Sequence, residues 1–182
     1  MSRLRDQSIY SQGFARIAAA SLPVQLADPE ANAAVILDAA RACDAQGAAL
    51  VVFPELCVTG YSIMDLVAQH ELLDGAIRGI DAVVEGSRDL APILIIGAPI
   101  QLGAALYNCA IAVHRGRILG IQPKDHLPGY DEFYEKRHYS TTTTPMLDPE
   151  VQWVRWDRGA KVAPTPGSFL VAPEPQSGGA AS

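Results

Sequence analysis

The sequence predicts a layered α/β domain whose last strands form a β-hairpin. Short apolar runs alternate with segments of helical periodicity, the pattern of strands that are covered by helices. Two of the runs, Ala48–Phe53 and Pro92–Pro99, are almost continuously apolar, which is typical of strands buried on both faces. The chain has 182 residues, of which 49% are hydrophobic and 19% charged. Length and composition therefore permit one domain with a real core.

The first strand and the first helix are predicted from residues 14–47. Phe14–Leu22 is a short apolar run that ends before a proline and predicts a buried strand. Asp28 can cap a helix, Pro29 suits the first helical turn, and Glu30 favours the positive end of the helix. Apolar residues then recur at helical steps as far as Gly47, which we expect to stop the helix.

The middle of the chain supplies a second helical region and the remaining strands. Ser62–Leu90 has helical periodicity, in one piece or two, weakened by internal glycines. The predicted order of elements is therefore β-α-β-α-β-β-β, with the last two strands paired as a hairpin. The hairpin comprises Ala104–His114, the two-residue turn Arg115-Gly116, and Arg117–Ile121.

Charge, hydropathy and cysteine usage argue against several classes of function. The chain has 14 basic and 20 acidic residues, a net charge of −6, which disfavours a nucleic-acid partner. No apolar run reaches the roughly 18–20 residues of a membrane helix, so we expect no membrane partner. The N-terminus lacks the apolar core of a signal peptide, and the 3 separated cysteines fit a reducing compartment. These features predict a cytoplasmic location.

Neither a cofactor nor a metal is expected. The sequence contains no glycine-rich dinucleotide fingerprint and no P-loop, so a self-contained nucleotide site is unsupported. His126 and His138 have no cysteine partner at metal-ligand spacing.

Two charged residues follow predicted strands directly. Glu55 comes after the apolar run that ends at Phe53, and Lys124 follows the second hairpin strand. Because the carboxyl ends of strands in α/β sheets open into ligand-binding crevices, Glu55 could act as a general base and Lys124 could stabilise a developing oxyanion. For each residue alone an ordinary surface role is the better interpretation. As a pair they predict either a reactive centre or a structural ion pair at one sheet edge.

The segment Asp125–Tyr139 mixes aromatic side chains with charges of both signs. Such a loop after a strand suits a small polar ligand. The alternative is a solvated helix start whose aromatic rings pack underneath.

Two motifs, FPELCVTGYS around Glu55 and PKDHLPGYDEFYEKR after the hairpin, carry a family resemblance. The sequence resembles the carbon–nitrogen hydrolase (nitrilase) superfamily, and more narrowly the N-terminal glutaminase domains of glutamine-dependent NAD synthetases. The runs IIGAP and YNCAIAVHRGRILGIQPK match the same pattern, so that the resemblance extends over residues 13–139. It implies a four-layer αββα sandwich, of which about the first half is represented, and a homo-oligomer in the intact family.

The resemblance also implies roles for individual residues. Glu55 corresponds to the general base, Lys124 to the residue that stabilises the tetrahedral intermediate, and Glu132 to a second acid that positions the lysine and the substrate amide. Tyr130 corresponds to a tyrosine near the bound substrate, which would be glutamine or another small amide. The family's nucleophilic cysteine has no counterpart, because no cysteine follows Cys109. We therefore expect the chain alone to lack glutaminase activity.

Residues 140–182 lose the periodic pattern and are rich in Pro, Thr and Gly, so we expect a poorly ordered tail in which only Val151–Trp156 alternates like a strand. The change near Ser140 suggests a truncation or a shift in reading frame. Missing strands would expose sheet edges and apolar surface, which predicts marginal stability, aggregation or dependence on a partner. Two other functions stay open: an amidase of the ω-amidase or carbamoylase type, and a non-catalytic interaction domain.

Overall fold

The structure is a computed structural model. It describes residues 9–128 and 135–141 with their side chains, and the backbone of three further strands at 154–155, 161–165 and 168–172. No helix in these ranges is long and apolar enough to cross a membrane. The predicted domain boundary between residues 139 and 140 stays a prediction.

Strands and helices alternate through the first half of the described chain, as predicted. Two 3-10 helices, Ile9–Gln12 and Met64–Ala68, precede β1 and α2 respectively. The elements are β1 (Ile17–Ala19), α1 (Pro29–Ala45), β2 (Leu50–Val52), α2 (His70–Gly86), β3 (Ile93–Leu102), β4 (Ala105–His114), β5 (Arg117–Pro123), α3 (Glu135–His138), β6 (Val154–Arg155), β7 (Lys161–Thr165) and β8 (Ser168–Ala172).

All strands belong to one mixed sheet with the order β1-β2-β3-β4-β5-β8-β7-β6. β1, β2 and β3 are parallel, whereas β3, β4 and β5 are antiparallel neighbours. β8 pairs antiparallel to β5, and β7 and β6 follow it. β6 falls in the segment whose alternation predicted a strand, while β7 and β8 lie where the sequence showed no strand pattern.

Local sequence signals account for both ends of α1 and for the hairpin turn. The side chain of Asp28 accepts a hydrogen bond from the backbone N–H of Ala31 at 3.0 Å, which satisfies a free donor of the first turn. After the helix Gly47 has a φ of +70°, a left-handed conformation that glycine adopts without strain. Arg115 and Gly116 have φ values of +47° and +75°, the signs of a type I′ hairpin turn.

The sheet has two unlike faces. Helices α1 and α2 pack on the covered face, where alternate side chains are at most 2% exposed. The other, open face carries the intervening positions of the same strands. The covered face is defined by Leu94, Ile96, Ala98, Cys109, Ile111 and Val113, and the open face by Ile17, Val52, Ile95, Gly97, Asn108, Ala110 and Ala112.

This asymmetry corrects two expectations. The sequence predicted β1 and β2 as buried strands, β2 on both faces. Val51 is fully buried, but Val52 is 38% exposed and Ile17 is 64% exposed, because the described residues cover these strands on one face and β1 is an edge strand. An apolar run indicates that its strand can be buried. It does not indicate which faces of the strand other elements will cover.

Candidate functional site

The sheet topology brings Glu55 and Lys124 to one edge. β2, β3 and β5 run in the same direction, so that their carboxyl ends lie together. Glu55 follows β2 and Lys124 follows β5, and Lys124 Nζ lies 2.7 Å from Glu55 Oε1. The sequence predicted this meeting of two strand exits.

Glu55 lies on a tight elbow, residues 54–58, that packs against β3. Leu56 has a left-handed φ of +51°, which is uncommon for a residue with a side chain. The backbone N–H of Val58 donates to the carbonyl of Gly97 at 3.1 Å. A Cβ at position 97 would lie only 2.4 Å from the backbone nitrogen of Leu56. A glycine is therefore required in β3 for the elbow to come this close.

Cys57 fastens the same elbow and is not a reactive thiol. Its Sγ accepts a hydrogen bond from the N–H of Gly97 at 3.3 Å and lies 3.7 Å from the carbonyl of that residue. Burial raises the pKa of the Cys57 thiol to about 11. Burial also raises the pKa of Cys109, and Cys43 packs beside the core from α1. Cys57 and Cys109 are thus held as neutral thiols at physiological pH.

Lys124 is shared by two carboxylates of very different exposure. Its Nζ lies 2.7 Å from Glu55 Oε1 and 2.9 Å from Glu135 Oε1. The side chain of Glu55 is 42% exposed, that of Glu135 only 4%. Burial by itself lowers the pKa of Lys124, but hydrogen bonds and charges from Glu55 and Glu135 outweigh it and raise the pKa above its ordinary value. Lys124 therefore remains an ammonium ion.

Glu135 is anchored from a second side. The hydroxyl of Tyr61 donates to Glu135 Oε1 at 2.7 Å. The other oxygen, Oε2, is buried and accepts no hydrogen bond from the described part of the chain. Tyr139 is buried nearby, and its pKa is raised by burial and then by the charges of Glu135 and Glu55. Glu135 is thus a fixed counter-charge for Lys124.

Glu55 is held on one oxygen. The side-chain amide of Asn108, in β4, donates to Glu55 Oε1, the same atom that binds Lys124. Asn108 is 3% exposed. The hydrogen bonds that Glu55 accepts from described side chains therefore all fall on Oε1.

The second acid of the sequence-based prediction, Glu132, and the predicted substrate-binding Tyr130 lie outside the described residues. Among the described residues, the carboxylate that contacts Lys124 besides Glu55 is Glu135, three positions further along the EFYEKR motif. The role assigned to Glu132 stays a prediction. Sequence reasoning also missed Asn108 and Tyr61. Both residues lie in motifs that carry the family resemblance. The motifs marked these segments, but the sequence did not indicate what either side chain would contact.

A cleft of about 440 Å³ opens beside the segments that carry Lys124 and Glu135. Its size is within the range of small-molecule sites. The cleft is lined by Asp125, His126, Leu127, Lys136, Tyr139, Ser140 and Thr141. Within residues 9–128 and 135–141, no three His, Cys, Asp or Glu side chains converge in a way that could hold a metal ion.

A family comparison identifies the class of protein to which this fold belongs. The carbon–nitrogen hydrolase family model matches residues 16–166, and the chain belongs to this family. Within the family it is similar to glutamine-dependent NAD(+) synthetases. The protein of that name from Mycobacterium tuberculosis strain H37Rv is 49% identical over 130 residues, which are 71% of this chain and 19% of the relative. The one from Thermotoga maritima is 32% identical over 124 residues, 68% of this chain and 21% of the relative.

Solved structures give the same result and confirm the predicted fold class. A glutamine-dependent NAD(+) synthetase from Cytophaga hutchinsonii superposes with a TM-score of 0.66 at 27% identity, covering 70% of this chain and 22% of that one. A variant of the amidase from Nesterenkonia sp. AN1, with acrylamide added at its active-site cysteine, superposes with a TM-score of 0.59 at 27% identity. It covers 70% of this chain and 50% of the amidase. The chain thus spans about a fifth of the synthetases and half of the amidase.

Proposed function

We propose that the chain is the amide-binding part of a glutaminase unit that supplies ammonia for NAD synthesis. The observation that carries this proposal is the sharing of one ammonium, Lys124, between an exposed carboxylate, Glu55, and a buried one, Glu135. An exposed carboxylate can exchange protons with a substrate, whereas a buried one at 4% exposure serves to hold the lysine.

The chemistry that fits this arrangement is hydrolysis through a thioester. A cysteine thiol attacks the amide carbon while Glu55 takes its proton. Lys124 stabilises the negative oxygen of the tetrahedral intermediate. The intermediate expels ammonia, to which Glu55 returns the proton, and water then cleaves the thioester with the help of the same carboxylate.

We propose that the chain's own cysteines do not supply the nucleophile of this scheme. Cys43 packs beside the core from α1. Cys57 is committed to Gly97, and both Cys57 and Cys109 are buried thiols with raised pKa values. We therefore propose that the chain alone releases no ammonia from glutamine. The choice of glutamine as substrate is supported by the names and similarity of the synthetase relatives.

A chimera tests the proposal directly. The matching 130 residues of the Mycobacterium tuberculosis relative are replaced by those of this chain, and NAD formation is measured with glutamine and, separately, with ammonium. We expect activity with both. In the chimera, Glu55→Gln and Lys124→Ala should reduce glutamine-supported activity by about 10²–10⁴-fold and leave ammonium-supported activity intact.

Glu30→Gln is the matched control, because Glu30 is an exposed carboxylate paired with Arg78 away from the cluster. A chimera that works with ammonium but not with glutamine would contradict the proposal, as would Glu55→Gln activity equal to that of Glu30→Gln.

A second candidate, hydrolysis of simple aliphatic amides, is favoured by the structural similarity to the Nesterenkonia amidase, for which a butyramide complex is known. Calorimetry with the chain separates the two. Binding of glutamine but not butyramide supports the glutaminase assignment, and the reverse supports the amidase.

A further inference from the structure

Asn108 is tied to both charged residues of the Glu55–Lys124 pair. Its side-chain Nδ2 donates to Glu55 Oε1, and its backbone carbonyl accepts the backbone N–H of Lys124 at 2.8 Å. Glu55 leaves the sheet from β2 and Lys124 from β5, while Asn108 lies in β4 between them in the sheet. One buried residue therefore connects two strand exits that share no backbone hydrogen bond with each other.

We propose that Asn108 is a positioning residue that selects the oxygen of Glu55 available for proton transfer. The proposal rests on the function proposed above. Within the described residues, Asn108 and Lys124 both bind Oε1 of Glu55, which leaves Oε2 for a substrate or nucleophile proton. A glutamate side chain has three rotatable bonds, and a lysine ammonium on a flexible stem fixes distance better than orientation. The amide of Asn108, rigid within the sheet, supplies the missing orientation.

A second buried asparagine shows what a purely structural role looks like. Asn32 is 2% exposed, and its partners among the described residues are backbone groups: the N–H and carbonyl of Gln25 and the carbonyl of Val58. Asn108 differs because its side-chain partner is an ionised carboxylate with 42% exposure. A hydrogen bond to a charged group is stronger and more directional than one between neutral groups.

The test uses the full chain and the acylation of Lys124 by acetic anhydride, read by mass spectrometry relative to the exposed Lys136. Only the neutral amine reacts, so a lysine held between carboxylates is labelled slowly. If Asn108→Leu frees Glu55 to turn away, labelling of Lys124 should increase by roughly threefold or more, as when an ammonium loses one of its two carboxylate partners. Glu55→Gln should give a similar increase.

Asn32→Leu is the matched control, because it removes an equally buried amide and should destabilise the chain without changing the labelling of Lys124. A second measurement does not depend on whether Asn108→Leu folds. In the otherwise native chain, the Asn108 side-chain N–H proton resonance should shift upfield in Glu55→Gln and stay in place in Glu30→Gln.

The outcomes separate the two proposals. If Glu55→Gln increases labelling but folded Asn108→Leu does not, the role of Asn108 is wrong while the site stands. If neither variant changes labelling, the ion pair itself is absent and both proposals fail. If labelling responds as expected but the chimera does not use glutamine, the proposed function fails while the hydrogen bond of Asn108 to Glu55 is upheld.

Discussion

The covered and open faces of the sheet differ in what their side chains do. On the covered face, Ile111 and its neighbours are fully buried under α1 and α2. On the open face, Ile17 is 64% and Val52 is 38% exposed, although both are as apolar as the residues of the covered face. Asn108 and Gly97 also belong to the open face, where the Glu55 elbow crosses β3.

The comparison teaches that the apolar core and the proposed site lie on opposite faces of the sheet. The covered face buries the aliphatic side chains that drive folding. The open face keeps a small set of polar groups in fixed positions and leaves their surroundings accessible. Substitutions on the covered face should therefore change the free energy of unfolding more than substitutions on the open face.

The largest effect is expected from a matched pair of Ile→Ala substitutions. Ile111→Ala removes a fully buried side chain and should cost about 2–5 kcal/mol of unfolding free energy. Ile17→Ala, at 64% exposure, should change it by no more than about 0.5 kcal/mol. Urea unfolding followed by circular dichroism measures both. Equal costs would show that the open face is covered in solution and would remove the contrast.

Gly97→Ala should be next in size. The new methyl group would meet the backbone nitrogen of Leu56 at 2.4 Å, and because backbone cannot turn aside, the elbow must shift at a cost of about 1–3 kcal/mol. The control is Gly86→Ala, whose methyl group meets the flexible end of Leu37 and which also gains helix propensity. In denaturant unfolding, Gly97→Ala should have a clearly lower free energy of unfolding than Gly86→Ala. The reverse order would mean that the elbow is not held against β3.

The smallest effect is expected from alkaline pH. Because the pKa of Lys124 is raised above 10.5 in the folded chain, its contribution to stability is fully present below pH 10.5 and is lost as the pH rises through the folded value. Lys124→Arg keeps the charge at all these pH values. Stability measured by urea unfolding should therefore fall more steeply above pH 10.5 in the native chain than in Lys124→Arg. Parallel curves would show that the ion pair contributes nothing to folding.

Local signals predicted much of the fold. The cap at Asp28, the turn at Arg115-Gly116 and the apolar runs of β2 and β3 depend on short-range chemistry, and the structure has each of them in place. The one-sided exposure of Val52 could not be predicted, because it depends on which layers pack against the sheet. The strands β7 and β8 have no alternation in the sequence that would indicate them.

The sequence predicted those parts of the site whose positions depend on strand direction. It did not predict the contacts that depend on side-chain packing. Glu55 and Lys124 follow strands that end at one sheet edge, so their meeting follows from chain direction alone. The contact of Glu135 with Lys124 could not be predicted, because a sequence does not show which side chains of one short motif pack against the lysine. Asn108 lies inside an apolar strand, where a single polar residue gives no hint of the partner it will find.

The hairpin turn at Arg115-Gly116 joins the ends of β4 and β5 that lie away from the Glu55–Lys124 pair. The N–H of Gly116 donates to Ser87 Oγ at 2.9 Å, which fastens the tip of the hairpin to the C-terminal end of α2. A slip of β4 by a single residue would turn Asn108 toward the helices and leave Glu55 without its amide donor. The hydrogen bond to Ser87 thus contributes to holding the hairpin in the register that places Asn108 beside Glu55.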